Sequence, residues 1–161
     1  MSGFEIKNLA NPLYFEENVL PPHSDHKYYG SEAELASGCS SFKYSLNGLW
    51  HIHVARNLAE RPEGFEGSDY DCRHWDTIAV PAHIQMEGYG KPHYTNTTYP
   101  WDGHEAIVPG ELPQENPVAS YVKYFAVPEG WQDVRISFQG AETALAVWLN
   151  GHFVGYSEDS F

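Results

Sequence analysis

The stretch ALAVWLNGHFVGY, residues 144–156, holds two apolar runs joined by Asn150-Gly151. Asn-Gly suits the two central positions of a type I′ turn, where both residues need positive φ and the turn's twist matches that of the flanking strands. A two-residue turn also fixes the register. It sets Leu149 opposite His152, Trp148 opposite Phe153 and Val147 opposite Val154, and a slip of one residue would turn every side chain to the other face. Apolar groups therefore coat both faces of the hairpin. Such an element needs two neighbours, one of them the second sheet of a sandwich and the other open to a further domain.

Other segments carry the same two-residue period. WHIHVAR alternates Trp50, Ile52 and Val54 against His51 and His53, and DVRISFQG alternates Val134, Ile136 and Phe138 against Arg135, Ser137 and Gln139. SYVKYFAV is a third candidate strand and TIAVP a short fourth, closed by Pro81. SDYDCRHWDT offers at best one helical turn, capped by Ser68 or Asp69. No long amphipathic helix is visible. Short strands between Gly- and Pro-rich loops predict an all-β sandwich over residues 41–161. Residues 1–40, interrupted by Pro12, Pro21, Pro22, Gly30 and Gly38, read as an extended arm whose Leu13, Tyr14 and Phe15 dock on a neighbour.

A chain of 161 residues with 42% hydrophobic content and 15% aromatics suffices for one core. Its formal charge of −13 argues against nucleic acid or an anionic membrane as partner and favours neutral ligands. No apolar run approaches the ~20 residues that span a bilayer, and the start MSGFEIKNLANP lacks an apolar signal core, so a cytoplasmic address is expected. Cys39 and Cys72 read as free thiols. Among the nine histidines, His51 with His53 and His23 with His26 could approach, but neither pair has a third ligand at a diagnostic spacing, so both read as structural or solvated.

The loop YTNTTYPWDG, residues 94–103, has no regular period and packs three aromatics around small amides and hydroxyls. Amides and carboxylates hydrogen-bond sugar hydroxyls, and aromatic faces suit the C–H side of a sugar ring. An Asx-turn that satisfies only its own backbone is the plainer reading of Asn96. The carboxylate clusters Glu16-Glu17, Asp69 with Asp71, and Glu158-Asp159 give no convincing catalytic pair. Neighbouring strand residues point to opposite faces, and loop acids are usually solvated.

Four segments fall in a specific order: LNGLW; HWDTIAVPAHIQMEGYGKPHYTNTTYPWDG; ENPVASYVKYFAVPEGW; FQGAETALAVWLNGHFVGYSEDS. From about residue 8 to 161 the chain resembles the amino-terminal jelly-roll domain of the lactose-cleaving bacterial β-galactosidases of glycoside hydrolase family 2. YTNTTYP and GYSEDS resemble that branch in particular. Ile84 stands where many members have tryptophan, which places the chain in a subgroup that carries HIQ and YPWDGHE.

The resemblance implies a galactose-binding-domain-like jelly-roll β-sandwich, C-terminally truncated at Phe161, since the family's domain continues through further strands. It implies that Asn96, with Thr97 beside it, reaches a galactosyl hydroxyl, and that Asp159 both touches the galactosyl group and helps hold Na+. It places the two catalytic glutamates, and the ligands of Mg2+, outside this chain. Tyr94, Tyr99 and Trp101 would then anchor the loop that presents Asn96, with Trp50, Trp75, Trp131 and Trp148 in the core or a domain interface. The parent would be an oligomeric retaining hydrolase of terminal β-D-galactosyl residues such as lactose. The alternative is a stand-alone carbohydrate-binding or interaction module, a role that jelly rolls commonly play.

Overall fold

The structure is a computed structural model and describes residues 4–24, 26–91 and 96–158. The expected hairpin is present. Strands β5 (Ala144–Leu149) and β6 (His152–Glu158) pair antiparallel around Asn150 at φ 51° and Gly151 at φ 79°. Leu149 faces His152 and Trp148 faces Phe153 as the turn requires. One residue further the expectation fails, because Val147 faces Gly155 and not Val154. Val154 is the extra residue of a β-bulge, which leaves it without a partner of its own and shifts the rest of β6 by one place.

β6 is the middle strand of a sheet ordered β1-β6-β5, in which β1 is the two-residue Glu16–Glu17 of the arm. The second antiparallel sheet is ordered β3-β2-β4, with β2 at Gly48–Ala55, β3 at Asp76–Val80 and β4 at Val118–Val122. Together they make strand the dominant regular structure among the described residues, as the alternation predicted. The segment 133–140 departs from that pattern. Its Val134, Ile136 and Phe138 are exposed and it joins neither sheet. Alternation marks one apolar face, but a strand also needs a ladder neighbour to satisfy its N–H and C=O groups, and Asp133 at φ 52° turns the chain at its start.

The core has two parts. Beneath β2 and β3 lie Ile52, Ala55, Ile78, Trp75 and Cys72, all buried. Under the hairpin Tyr156 is 1% exposed, with the rings of Phe4 and Tyr14 packed on it at 5.1 and 5.2 Å. Phe65 joins the two parts, lying 5.9 Å from Trp75 and 6.4 Å from Trp148. Each such aromatic pair contributes about 0.5–1.5 kcal/mol beyond its buried area. The sheets thus meet through rings. Trp50 and Trp131 are half-buried, and the Trp50 indole N–H donates to Leu46 O at 2.8 Å.

The arm is not wholly extended. A short helix, α1 (Glu32–Ser37), starts at Ser31, whose hydroxyl accepts from Glu34 N, and ends at Gly38 with φ 73°. Hydrogen bonds from the N–H groups of Gly30 and Ser41 hold the Glu34 carboxyl below its ordinary range. In the segment 68–77 turns replace the expected capped helical turn, and it is Asp71 that accepts the local N–H, from Arg73. Both cysteines are free, Cys39 exposed and Cys72 buried.

Burial, and then the hydrogen bond its hydroxyl donates to Glu158, push Tyr156 far above the ordinary tyrosine value of 10.0. The fold therefore keeps a proton that the unfolded chain releases near pH 10, so this contribution is full at lower pH and fades as pH rises beyond it. Denaturant titrations of the chain and of Tyr156→Phe should differ by a constant amount up to about pH 9, and converge above pH 10. Parallel curves throughout would refute this.

Leu13, Met86 and Val134 are 86%, 79% and 52% exposed, in company with Leu49, Ile136 and Phe138. Soluble monomers rarely carry that much uncovered apolar surface. Light scattering on the isolated chain at micromolar concentration should show self-association, and a monodisperse monomer would contradict it.

Candidate functional site

Asn96, Thr97 and Thr98 are exposed, in a bend that leads into a tight turn at Tyr99–Glu105. The turn is closed by its own backbone. Asp102 N donates to Tyr99 O at 3.0 Å, while Tyr99 N donates to the Asp102 carboxylate at 3.0 Å. His104 N and Glu105 N both reach Trp101 O, at 2.9 and 3.0 Å. An aspartate three places after the first residue thus fixes the turn from both sides.

What ties this turn to the body is a second set of bonds. The Trp101 indole N–H donates to Glu115 O at 2.8 Å. The Glu105 carboxylate accepts from the N–H groups of Gln114 and Glu115 at 2.6 and 3.1 Å. Gln114 O in turn accepts from the Asn57 side chain at 3.0 Å, and Asn116 N donates to Arg56 O at 3.2 Å, just beyond the end of β2. Asn57 is buried and also caps the short turn Leu58–Glu60 through its bond from Glu60 N. A continuous chain of hydrogen bonds therefore runs from sheet to loop. Charge-assisted bonds such as those to Glu105 are the stronger members of such a chain.

The expected anchors divide. Trp101 is half-buried and holds the loop, whereas Tyr99 is 76% exposed and does not. With Pro100 next to it and its N–H already bound to Asp102, the Tyr99 ring is directed away from the body. Tyr94 lies outside the described residues, as does Asp159. Asn57 and Glu105 were not singled out from sequence. Asn57-Leu-Ala-Glu60 is a legible cap, but nothing local in Glu105 signals that it will span to residues nine and ten places on.

The strand that leads to Asp159 is described up to Glu158. Glu158 accepts a hydrogen bond from the Tyr156 hydroxyl and its N–H donates to Phe15 O at 2.8 Å. That carboxylate is engaged within the fold.

An open cleft of about 330 Å³ lies elsewhere, beside β2 and the start of β3. His53, Tyr70, His74, Trp75, Asp76 and Tyr89 line it, and the Tyr89 hydroxyl donates to Asp76 at 3.0 Å. His51 and His53 share the face expected of them and pack on rings, His51 at 6.3 Å from Tyr124 and His53 at 5.5 Å from Trp75. His23 Nδ1 lies 2.9 Å from Pro21 O. Among the described residues no three His, Cys, Asp or Glu side chains converge.

The sequence description of glycosyl hydrolases family 2, sugar binding domain, matches residues 43–161. The chain is 54% identical over 151 residues to a β-galactosidase of Halalkalibacterium halodurans, covering 91% of this chain and 15% of that protein. It is 47% identical over 155 residues to a β-galactosidase of Lactobacillus delbrueckii subsp. bulgaricus, covering 95% of this chain and 15% of that one. It is also 46% identical over 168 residues to the β-galactosidase large subunit of Leuconostoc lactis, covering 95% of this chain and 27% of that subunit. The chain thus spans about one seventh to one quarter of these relatives.

Removing the Glu105 carboxylate should free the loop without disturbing the sheets. In Glu105→Ala, amide exchange at Gln114 and Glu115 should accelerate about tenfold or more, which corresponds to the loss of a bond worth ~1.5 kcal/mol. Exchange across β2 and β3 should stay as it is. Unchanged exchange at residues 114 and 115 would show that the loop is held by other means.

Proposed function

Since the chain belongs to the sugar-binding domains of glycosyl hydrolase family 2, we propose that it forms one wall of the galactoside site of a β-galactosidase. The complete enzyme hydrolyses terminal non-reducing β-D-galactosyl residues, with lactose as the expected substrate. The observation that carries this reading is the exposed Asn96-Thr97 tip on a loop tied to β2 through Trp101, Glu105 and Asn57. A sugar hydroxyl is recognised by a donor and acceptor held still, because a floppy amide would lose on ordering what it gains on bonding. The domain's two antiparallel sheets are the described part of a jelly-roll sandwich.

Asn96 and Thr97 address the galactosyl hydroxyls, and Asp159 contributes a carboxylate to the same site. A retaining glycosidase needs two carboxyl groups about 5–5.5 Å apart. This wall does not supply them. Glu158 is engaged by Tyr156, so the acid/base and the nucleophile come from the remainder of the enzyme, as do the Mg2+ ligands. Sodium suits Asp159 because a carboxylate is a hard oxygen donor, with its other ligands drawn from the enzyme's other domains. The working enzyme is an oligomer.

In the complete enzyme Asn96→Ala should lower kcat/KM for a galactoside about tenfold, the equivalent of ~1.4 kcal/mol, with little change in Tm. An unchanged rate with a lowered Tm would show that Asn96 serves only its own loop. The isolated chain should not hydrolyse a chromogenic β-galactoside. Turnover that survives purification and is lost in Glu158→Gln would overturn the division of labour.

A further inference from the structure

The cleft beside β2 has a floor that the sheet leaves unfinished. β3 begins at Asp76, opposite Ile52, whereas β2 runs on to Ala55. Past Ile52 the edge of β2 on that side has no ladder neighbour among the described residues, so its backbone groups there are open to another partner. The cleft of about 330 Å³ sits on this step, bounded by Tyr70, His74 and Trp75 of the segment that leads into β3 and by Tyr89.

Its side chains carry more polar groups than the fold uses. The Tyr89 hydroxyl donates to one oxygen of Asp76 at 3.0 Å, and His53 rests on the Trp75 ring at 5.5 Å. Among the described residues the second Asp76 oxygen, the Tyr70 hydroxyl and the ring nitrogens of His53 and His74 have no hydrogen-bond partner. They stand beside the rings of Tyr70 and Tyr89, both half-buried.

This lining excludes most classes of ligand. It has no Lys or Arg for an anion, and a net charge of −13 repels one further. A transition metal asks for three or four converging ligands, and no three His, Cys, Asp or Glu side chains converge among the described residues. An organic cation would meet a single carboxylate, one oxygen of which is already taken by Tyr89. A purely apolar ligand would strip water from Asp76 and the imidazoles and give nothing back. A neutral pyranose ring uses both kinds of surface, its hydroxyls serving as donors and acceptors while its C–H face lies on an aromatic ring. The volume falls at the low end of the ~300–1,000 Å³ of small-molecule sites, which suits one ring.

We propose that this cleft is a second sugar site, separate from the galactoside site, which holds a single neutral pyranose ring, free or at the end of an oligosaccharide. Asp76 and His74 take its hydroxyls, and a tyrosine face takes its C–H side. The site binds and does not hydrolyse, because retaining cleavage needs two carboxyl groups and Asp76 is the one carboxylate in the lining.

The test uses the complete enzyme with galactose, glucose and maltotriose as probes. Soaked crystals locate the sugar, and calorimetry measures its binding to the parent, His74→Ala, Asp76→Asn and Asn96→Ala. His74 and Asp76 are exposed, so these changes leave the core alone. A ring should occupy the cleft with a dissociation constant of ~1 mM, and His74→Ala and Asp76→Asn should each weaken that binding about fivefold or more, while turnover of a chromogenic β-galactoside stays at the parent rate. Asn96→Ala should do the reverse, losing turnover and keeping the sugar in the cleft. If Asn96→Ala turns over as the parent does, the reading of that loop fails, and the crystals still decide the cleft. Tighter binding of maltotriose than of glucose would assign the cleft to chain ends, and equal binding to the free sugar. A cleft that stays empty with all three probes, that is filled by another part of the enzyme, or whose sugar binds equally well in both cleft variants overturns the proposal.

Discussion

Tyr156 is the point on which the two ends of the chain close. Its ring is buried between Phe4 and Tyr14 of the arm, and its hydroxyl is spent on Glu158. Without the arm, the ring and the outer edge of β6 would face solvent, and the hairpin would be a two-stranded ribbon, which is marginal in water. With it, β6 becomes a central strand. The burial of one amphipathic ring thus converts a local turn preference at Asn150-Gly151 into a sheet, because the arm covers the face and edge that the turn cannot.

Sequence conveyed most where the signal is local. Asn150-Gly151 set the hairpin and its first two pairs, and the alternation through Trp50, Ile52 and Val54 marked β2. Those choices depend on a turn or a period. The bulge at Val154 carries no such local signal, and the Asn18 side chain that bonds Val154 O comes from 136 residues away in the sequence. Helix α1 was legible in principle from Ser31-Glu32-Ala33-Glu34, a cap followed three places on by an acid. Pro and Gly on either side obscured it. The candidate site divides in the same way: Asn96 and Trp101 stood out by residue type, whereas Glu105 acts through two distant amides that carry no side-chain signal.

The core is small for the number of apolar residues in the chain. Ile52, Ile78, Trp75 and Tyr156 are buried, but Leu49, Val134, Ile136 and Phe138 are exposed on or beside the strands. Alternation at 133–140 was real as a pattern and misleading as a strand. An apolar face records that something covers it, not that the covering lies within reach of this chain. The relatives are roughly four to seven times longer than the stretch matched here, so the uncovered faces fit a domain whose packing is shared with the rest of a larger protein.

That sharing bears on how a sugar site can be built from a sandwich whose own cleft, beside His53 and Asp76, lies apart from the Asn96 loop. Neutral sugars offer no charge for long-range attraction, and a surface with a net charge of −13 gives none in return. Selectivity then depends on short hydrogen bonds, each worth only about 0.5–1.5 kcal/mol net. Bonds that weak discriminate between hydroxyl positions only when donor and acceptor are held to a fraction of an ångström. The loop at 99–105 is held to the body through Trp101 and Glu105, and β6 is held between β5 and the arm. Both mounts are non-local, and both use backbone groups as the fixed points.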